Sequence, residues 1–73
     1  MFEVKTSKAL KIKLAVATET MRRENTDFQR MNGGETGMVL VRKGSPAESD
    51  RRGKVQYLAE YQDGGQTFIL FAA

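Results

Sequence analysis

The chain contains neither cysteine nor histidine in its 73 residues. Without cysteine there is no disulfide framework, no thiolate metal site and no sulfur nucleophile, although this leaves the redox compartment open. Without histidine the commonest general base and the usual zinc and copper ligand are missing. Long hydrophobic runs are lacking as well. The longest are Leu14-Ala15-Val16-Ala17, Met38-Val39-Leu40-Val41 and Phe68 to Ala73, far short of the roughly 20 residues a membrane helix needs. Lys5 and Lys8 precede an apolar stretch ending in Ala15-Val16-Ala17, but Lys11 and Lys13 interrupt it. A secretory signal is therefore not expected, and a cytoplasmic location is.

With 73 residues and 40% hydrophobic content, the expectation is one domain spanning residues 1–73 around one small core. Ordering costs roughly 1.5 kcal/mol per residue, about what burial returns in so short a chain. Most large apolar side chains should then be committed to the core. Little stability remains for a buried polar catalytic site.

In residues 9–18, Leu10, Ile12, Leu14 and Val16 alternate with Lys11, Lys13, Ala15 and Ala17. Period two predicts a strand with the aliphatics on one face and the lysines on the other. Phe2 and Val4 keep the same parity, so the strand is open to starting at the N-terminus. Residues 19–31 are polar, with Met21, Phe28 and Met31 on one helical face and Asn32-Gly33-Gly34 as a stop; they predict a short helix, with a loop as the competitor. Residues 37–43 predict a strand that ends at Gly44-Ser45-Pro46. Residues 46–53 read as an exposed loop. Residues 54–61 predict a third strand, with Val55, Tyr57, Ala59 and Tyr61 on one face. Asp63-Gly64-Gly65 is a hairpin turn. Residues 67–71 form a last strand whose two apolar faces suit a central position. The fold class expected is β-rich α+β: about four mostly antiparallel strands and one short helix.

Candidate chemistry is sparse. Ser7, Ser45 and Ser49 lie in no nucleophile-elbow pattern, and Ser7-Lys8 places neighbours on opposite sides of a strand. Glu48 and Asp50 could hold a magnesium ion in a loop, but such pairs are far more often solvated surface. Gly33-Gly34-Glu35-Thr36-Gly37 lacks the lysine of a phosphate loop and precedes a strand, so it reads as a turn. Neither an enzyme nor a cofactor is expected.

Charge placement is more informative. Twelve Lys+Arg against nine Asp+Glu give a net +3. Residues 1–23 carry net +4, from Lys5, Lys8, Lys11, Lys13, Arg22 and Arg23 against Glu3 and Glu19, and residues 24–73 carry −1. Lys11 and Lys13 are expected to project together from one sheet face. Arg42-Lys43 and Arg51-Arg52-Lys54 flank the proline loop and could converge. Exposed lysines also commonly guard a sheet edge against unwanted pairing, and doublets at strand ends are often merely solvated. Taken together, Lys8, Lys11, Lys13, Arg22, Arg23, Arg42, Lys43, Arg51, Arg52 and Lys54 form the candidate partner-binding set. A nucleic-acid partner would pair them with exposed aromatics, but Tyr57, Tyr61, Phe68 and Phe71 are needed by the core. An edge strand would instead take an extended peptide by main-chain pairing. A third possibility is an oligomer joined through the apolar C-terminal strand.

The opening Met1-Phe2-Glu3-Val4-Lys5, the basic first segment, Gly44-Ser45-Pro46 and the phenylalanine-rich ending resemble the small phage-encoded transcription regulators, found in a Xanthomonas phage, that bind the host's RNA polymerase. The resemblance rests on size and general character over the whole chain. It implies a non-enzymatic protein in the cytoplasm of the infected bacterium, expected to be monomeric when free. It would dock on a large polymerase subunit near the RNA exit region, close to nucleic acid and away from membranes. There it would inhibit initiation, hamper sigma-factor function and promote antitermination.

Overall fold

A computed structural model describes residues 8–33 and 36–73. It has a long helix α1 (Lys8–Glu24), strands β1 (Phe28–Gly33) and β2 (Thr36–Arg42), a short helix α2 (Pro46–Arg51), and strands β3 (Tyr57–Asp63) and β4 (Gln66–Ala72). The strands form one antiparallel sheet in the order β1-β2-β4-β3. The chain is thus α+β and β-rich, as expected, but its first half is assigned differently.

Residues 9–18 are helix, not strand. Leu10 and Leu14 are four apart, and Ala17 and Met21 extend the same stripe by one and two further turns. Leu14, Ala17, Thr18 and Met21 are buried against the sheet. The alternation arises because Ile12 and Val16, also four apart, form a second stripe about 200° round the helix from the first, on its exposed side. Nothing in the segment breaks a helix: it is free of glycine and proline and rich in alanine, leucine and lysine. An origin of this segment at Phe2 and Val4 lies outside the described residues.

The helix ends earlier than expected and in another way. Asn25 takes a left-handed φ of 53°, and its N–H donates to the Arg22 carbonyl while the Thr26 N–H donates to that of Met21. This is a Schellman close, with asparagine in the place usually held by glycine. Residues 28–33 are therefore strand. Phe28 and Met31, three apart, fall on opposite faces of the sheet, and only Met31 is buried. Asn32-Gly33 closes the β1–β2 hairpin instead of a helix, with Gly33 opposite Thr36; Gly34 and Glu35 lie outside the described residues.

Residues 46–51 correct a second expectation. Ser45 caps α2: its Oγ accepts from the Glu48 N–H and donates to the Arg42 carbonyl at 2.6 Å. Pro46 sits in the first turn, where its missing N–H is harmless. Ser45-Pro46-Ala47-Glu48 has the spacing of a capping box, with the Glu48 side chain reaching back to the Gly44 N–H at 2.7 Å.

The sheet has two covered faces. On one, α1 seals Met31, Met38, Leu40, Leu58, Phe68 and Leu70. On the other, Val39, Val41, Ile69 and Phe71 are buried, with Ala47 of α2 packed on them. That explains why β4 is apolar on both parities. It lies between β2 and β3, with both edges paired, so it is not available to a neighbouring copy as the oligomer idea required. In β3 a bulge between Tyr57 and Ala59 breaks the expected parity. Leu58, Ala59 and Tyr61 pack on the α1 side, while Val55 and Tyr57 stay exposed. The β3–β4 turn is as expected, with Gly64 and Gly65 at φ 59° and 77°.

Candidate functional site

The ten candidate cations separate into those the fold uses and those it leaves free. Arg22 binds the β3–β4 hairpin. Its guanidinium donates to the Asp63 carbonyl at 3.0 Å and the Gln66 Oε1 at 3.3 Å, and lies 3.5 Å from the Asp63 carboxylate. The buried Thr18 hydroxyl donates to the same carboxylate at 2.8 Å, so α1 is tied to the hairpin at two points. Arg42 pairs with Asp27 at 3.5 Å, donates to the Thr26 carbonyl and lies over the Phe68 ring. Lys43 leaves the strand on the other side and meets Glu60 at 3.4 Å.

Arg52 is bound to Glu48 through both Nε and Nη2. The Glu48 carboxyl is held below its ordinary value of 4.5, first by the Gly44 N–H and then by the Arg52 guanidinium. Both its oxygens are thereby occupied, which argues against its use as a magnesium ligand with Asp50. Among the described residues no three acidic side chains gather at one point. Arg51 stacks on the Phe28 ring with its guanidinium carbon 5.5 Å from the centroid, and donates to the Ala47 carbonyl. The two basic groups around Pro46 do not converge, because strand alternation sends Arg42 and Lys43 to opposite faces and Arg52 turns back onto α2.

Among the described residues, Lys8, Lys11, Arg23 and Lys54 of the candidate set enter no ion pair. Lys11 and Lys13 do not share a face. On a helix, two positions are about 200° apart, and it is Lys13 that faces the sheet edge. Arg30, on β1, was absent from the candidate set and is likewise exposed without an ion pair. An isolated arginine in a segment expected to be helical gave no signal.

Arg30 borders a shaped feature. An open groove of about 310 Å³ runs between α1 and β1, lined by Ile12, Lys13, Val16, Thr20, Arg30 and Met31 among others. Ile12 and Val16 are 59% and 60% exposed, the most exposed large aliphatic side chains among the described residues. The two lie one turn apart on one helix stripe and form a small exposed apolar patch along the groove. The signal for it lies in the 9–18 alternation, which fits period two as well as a helix stripe.

No helix of the described residues is long and apolar enough to cross a membrane. No protein-family model matches the sequence, and no curated protein or solved structure shows significant similarity to it.

Proposed function

We propose that the protein is a non-catalytic regulator that binds bacterial RNA polymerase, working in the cytoplasm of an infected bacterium. One observation carries the binding role: the exposed Ile12–Val16 stripe, continued along α1 by Lys8 and Arg23 and bordered across the groove by Arg30, none of which enters an ion pair within the described fold. An apolar strip with a basic rim fits a protein surface that is apolar at its centre and acidic around it. Polymerase as the partner, with inhibition of initiation and antitermination as the outcome, comes from the resemblance in the sequence. The binding set is narrowed accordingly. Arg22, Arg42, Lys43 and Arg52 serve the fold, and Lys8 and Arg23 of α1 with Arg30 of β1 serve the partner.

The test is a titration of the fluorescently labelled chain with purified bacterial RNA polymerase at near-physiological salt, repeated with excess duplex DNA. Binding that survives the DNA and weakens at least tenfold in Lys8→Glu/Arg23→Glu supports the reading. Failure to bind a matched host polymerase rejects polymerase as the partner.

A direct nucleic-acid contact is the second reading, favoured by one observation: Phe28 and Tyr57 are exposed aromatics with Arg51 and Lys54 nearby in sequence or space. They sit on β1 and β3, the opposite edges of the sheet, roughly 14 Å apart at three strand spacings. A continuous stacking platform would need them closer. Affinity for DNA or RNA that falls steeply with salt would promote this reading.

A further inference from the structure

The outer edge of β1 has a defined hydrogen-bonding pattern. The Asp27 carbonyl accepts from the Arg42 N–H at 2.9 Å, and the register pairs Gln29 with Leu40 and Met31 with Met38. Main-chain groups in an antiparallel pair point alternately toward and away from the partner strand. Gln29 and Met31 therefore spend their N–H and C=O groups on β2, while those of Phe28, Arg30 and Asn32 point outward. Among the described residues no strand meets them. Unpaired edges are normally blunted by bulges, prolines or charge. The other edge, β3, has such protection in its bulge at Leu58 and in Glu60 and Asp63. On β1 there is no bulge and one cation, and α1 overhangs it with Ile12 and Val16.

We propose that this edge receives an extended acidic segment of the partner protein, which adds to the sheet as a fifth strand beside β1. The inference deepens the reading above, in that it gives the binding mode of the same surface. Strand alternation sets the chemistry of the segment. Every second side chain turns toward α1 and fills the groove against Ile12 and Val16, so it is aliphatic. The side chains between turn to the opposite face, where Arg30 stands without an ion pair, so they are acidic. A second copy of this chain fits less well. Antiparallel self-pairing of β1 through its outward-pointing residues, with Phe28 opposite Asn32, sets Arg30 directly against Arg30, and like charges facing across strands are destabilising.

The test uses the full chain and three capped octapeptides: alternating aspartate and valine, the same peptide N-methylated at alternate amides, and alternating lysine and valine. Titration is followed by the amide signals of Phe28 and Arg30 and the methyl signals of Ile12 and Val16. The expected result is that the acidic peptide binds and slows amide exchange at Phe28 and Arg30. N-methylation and the lysine peptide should each cost at least tenfold in affinity, as should Arg30→Glu and Ile12→Asp/Val16→Asp. Far-UV circular dichroism checks that the variants are folded; should the helix double variant unfold, Arg30→Glu and the N-methylated peptide decide. No binding of the acidic peptide, or binding indifferent to N-methylation, overturns the proposal. So does a concentration-dependent dimer in sedimentation that protects the same amides, because the occupant is then a second copy. Polymerase binding that is unaffected by Arg30→Glu and Ile12→Asp/Val16→Asp defeats the strand addition alone. Peptide binding without polymerase binding defeats the choice of partner alone.

Discussion

Leu14 and Val16 stand two positions apart, and a strand would place them on one face. In α1, Leu14 is 4% exposed inside the sheet-facing core and Val16 is 60% exposed, so truncating each to alanine should give very different results. Leu14→Ala removes three buried carbons at about 0.8 kcal/mol each. A cavity term is added, because Met21, Leu40 and Phe68 cannot collapse fully into the gap; the total is about 3 kcal/mol, within the usual 2–5 for buried leucine. A domain of 73 residues has roughly 4–11 kcal/mol in all, so the loss is a large fraction of its stability. The melting temperature should fall by about 12–24 °C, at 4–8 °C per kcal/mol for a domain of this size. Val16→Ala loses little burial and gains helix propensity, leaving stability within about 0.5 kcal/mol of the parent. Urea unfolding followed at 222 nm by circular dichroism measures both, and an unchanged denaturant slope confirms that the unfolded states are comparable. Equal losses at the two positions, or a larger one at Val16, would refute the helical assignment and the exposed stripe that depends on it.

The Glu48 carboxyl titrates below its ordinary value of 4.5 in the folded chain, so its contribution is complete above that value and is lost as pH falls through the folded pKa. The urea midpoint of the parent should fall on acidification below about pH 5, and that of Glu48→Gln should fall less. Tyr61 shifts the opposite way, raised above 10.0 by burial and then by Asp63. Absorbance at 295 nm should show a late-ionising phenol that disappears in Tyr61→Phe, with stability lost as pH rises through that ionisation. Gly65 has φ 77° with open space around it, so Gly65→Ala should cost about 1 kcal/mol in thermal unfolding. Gly64 has φ 59°, and a Cβ there would lie 3.0 Å from the Arg22 guanidinium. Gly64→Ala should therefore cost more than Gly65→Ala, and the excess should shrink in an Arg22→Ala background.

The legible parts of the fold were those whose local chemistry allows a single conformation. Asp63-Gly64-Gly65 requires positive φ and closed a hairpin as expected. Residues 67–71, apolar on both parities, could only be a covered strand, and β4 is covered on both faces. The first helix was not legible in a ten-residue window. Leu10, Ile12, Leu14 and Val16 satisfy period two and, as two i,i+4 pairs, also satisfy period 3.6. Only Met21, outside the window but in register with Leu14, breaks the tie. Asn25 was equally hard to see, since asparagine closes a helix far less often than glycine. The α2 cap is legible in Ser45-Pro46-Ala47-Glu48, which has the spacing of a helix start, but the segment lacks the large aliphatics that distinguish a packed helix from a loop. Of the candidate site, the free cations on α1 were visible as charge. Their separation from Arg22, Arg42, Lys43 and Arg52 was not, because it depends on Asp63, Asp27, Glu60 and Glu48 reaching them through the fold.

That separation changes what a count of charge means here. A net charge of +3 is small, and spread evenly it would do little more than aid solubility. Pairing concentrates it. Four arginines and lysines are neutralised by acids that also hold α1, α2 and the hairpin in place, so substituting them tests the fold before it tests a partner. Lys8, Lys11, Arg23 and Arg30 have no such duty; Arg30 lines the groove, and Lys8 and Arg23 continue the Ile12–Val16 stripe along α1. A positive field localised there raises the encounter rate with an acidic partner. In the proposed binding mode the apolar stripe and the outward-facing amides of β1 would then govern how long it stays, because contacts that exclude water act mainly on dissociation. Substituting the free cations should accordingly slow association and sensitise it to salt, while substituting Ile12 or Val16 should speed release. A surface that served only solubility would show neither effect.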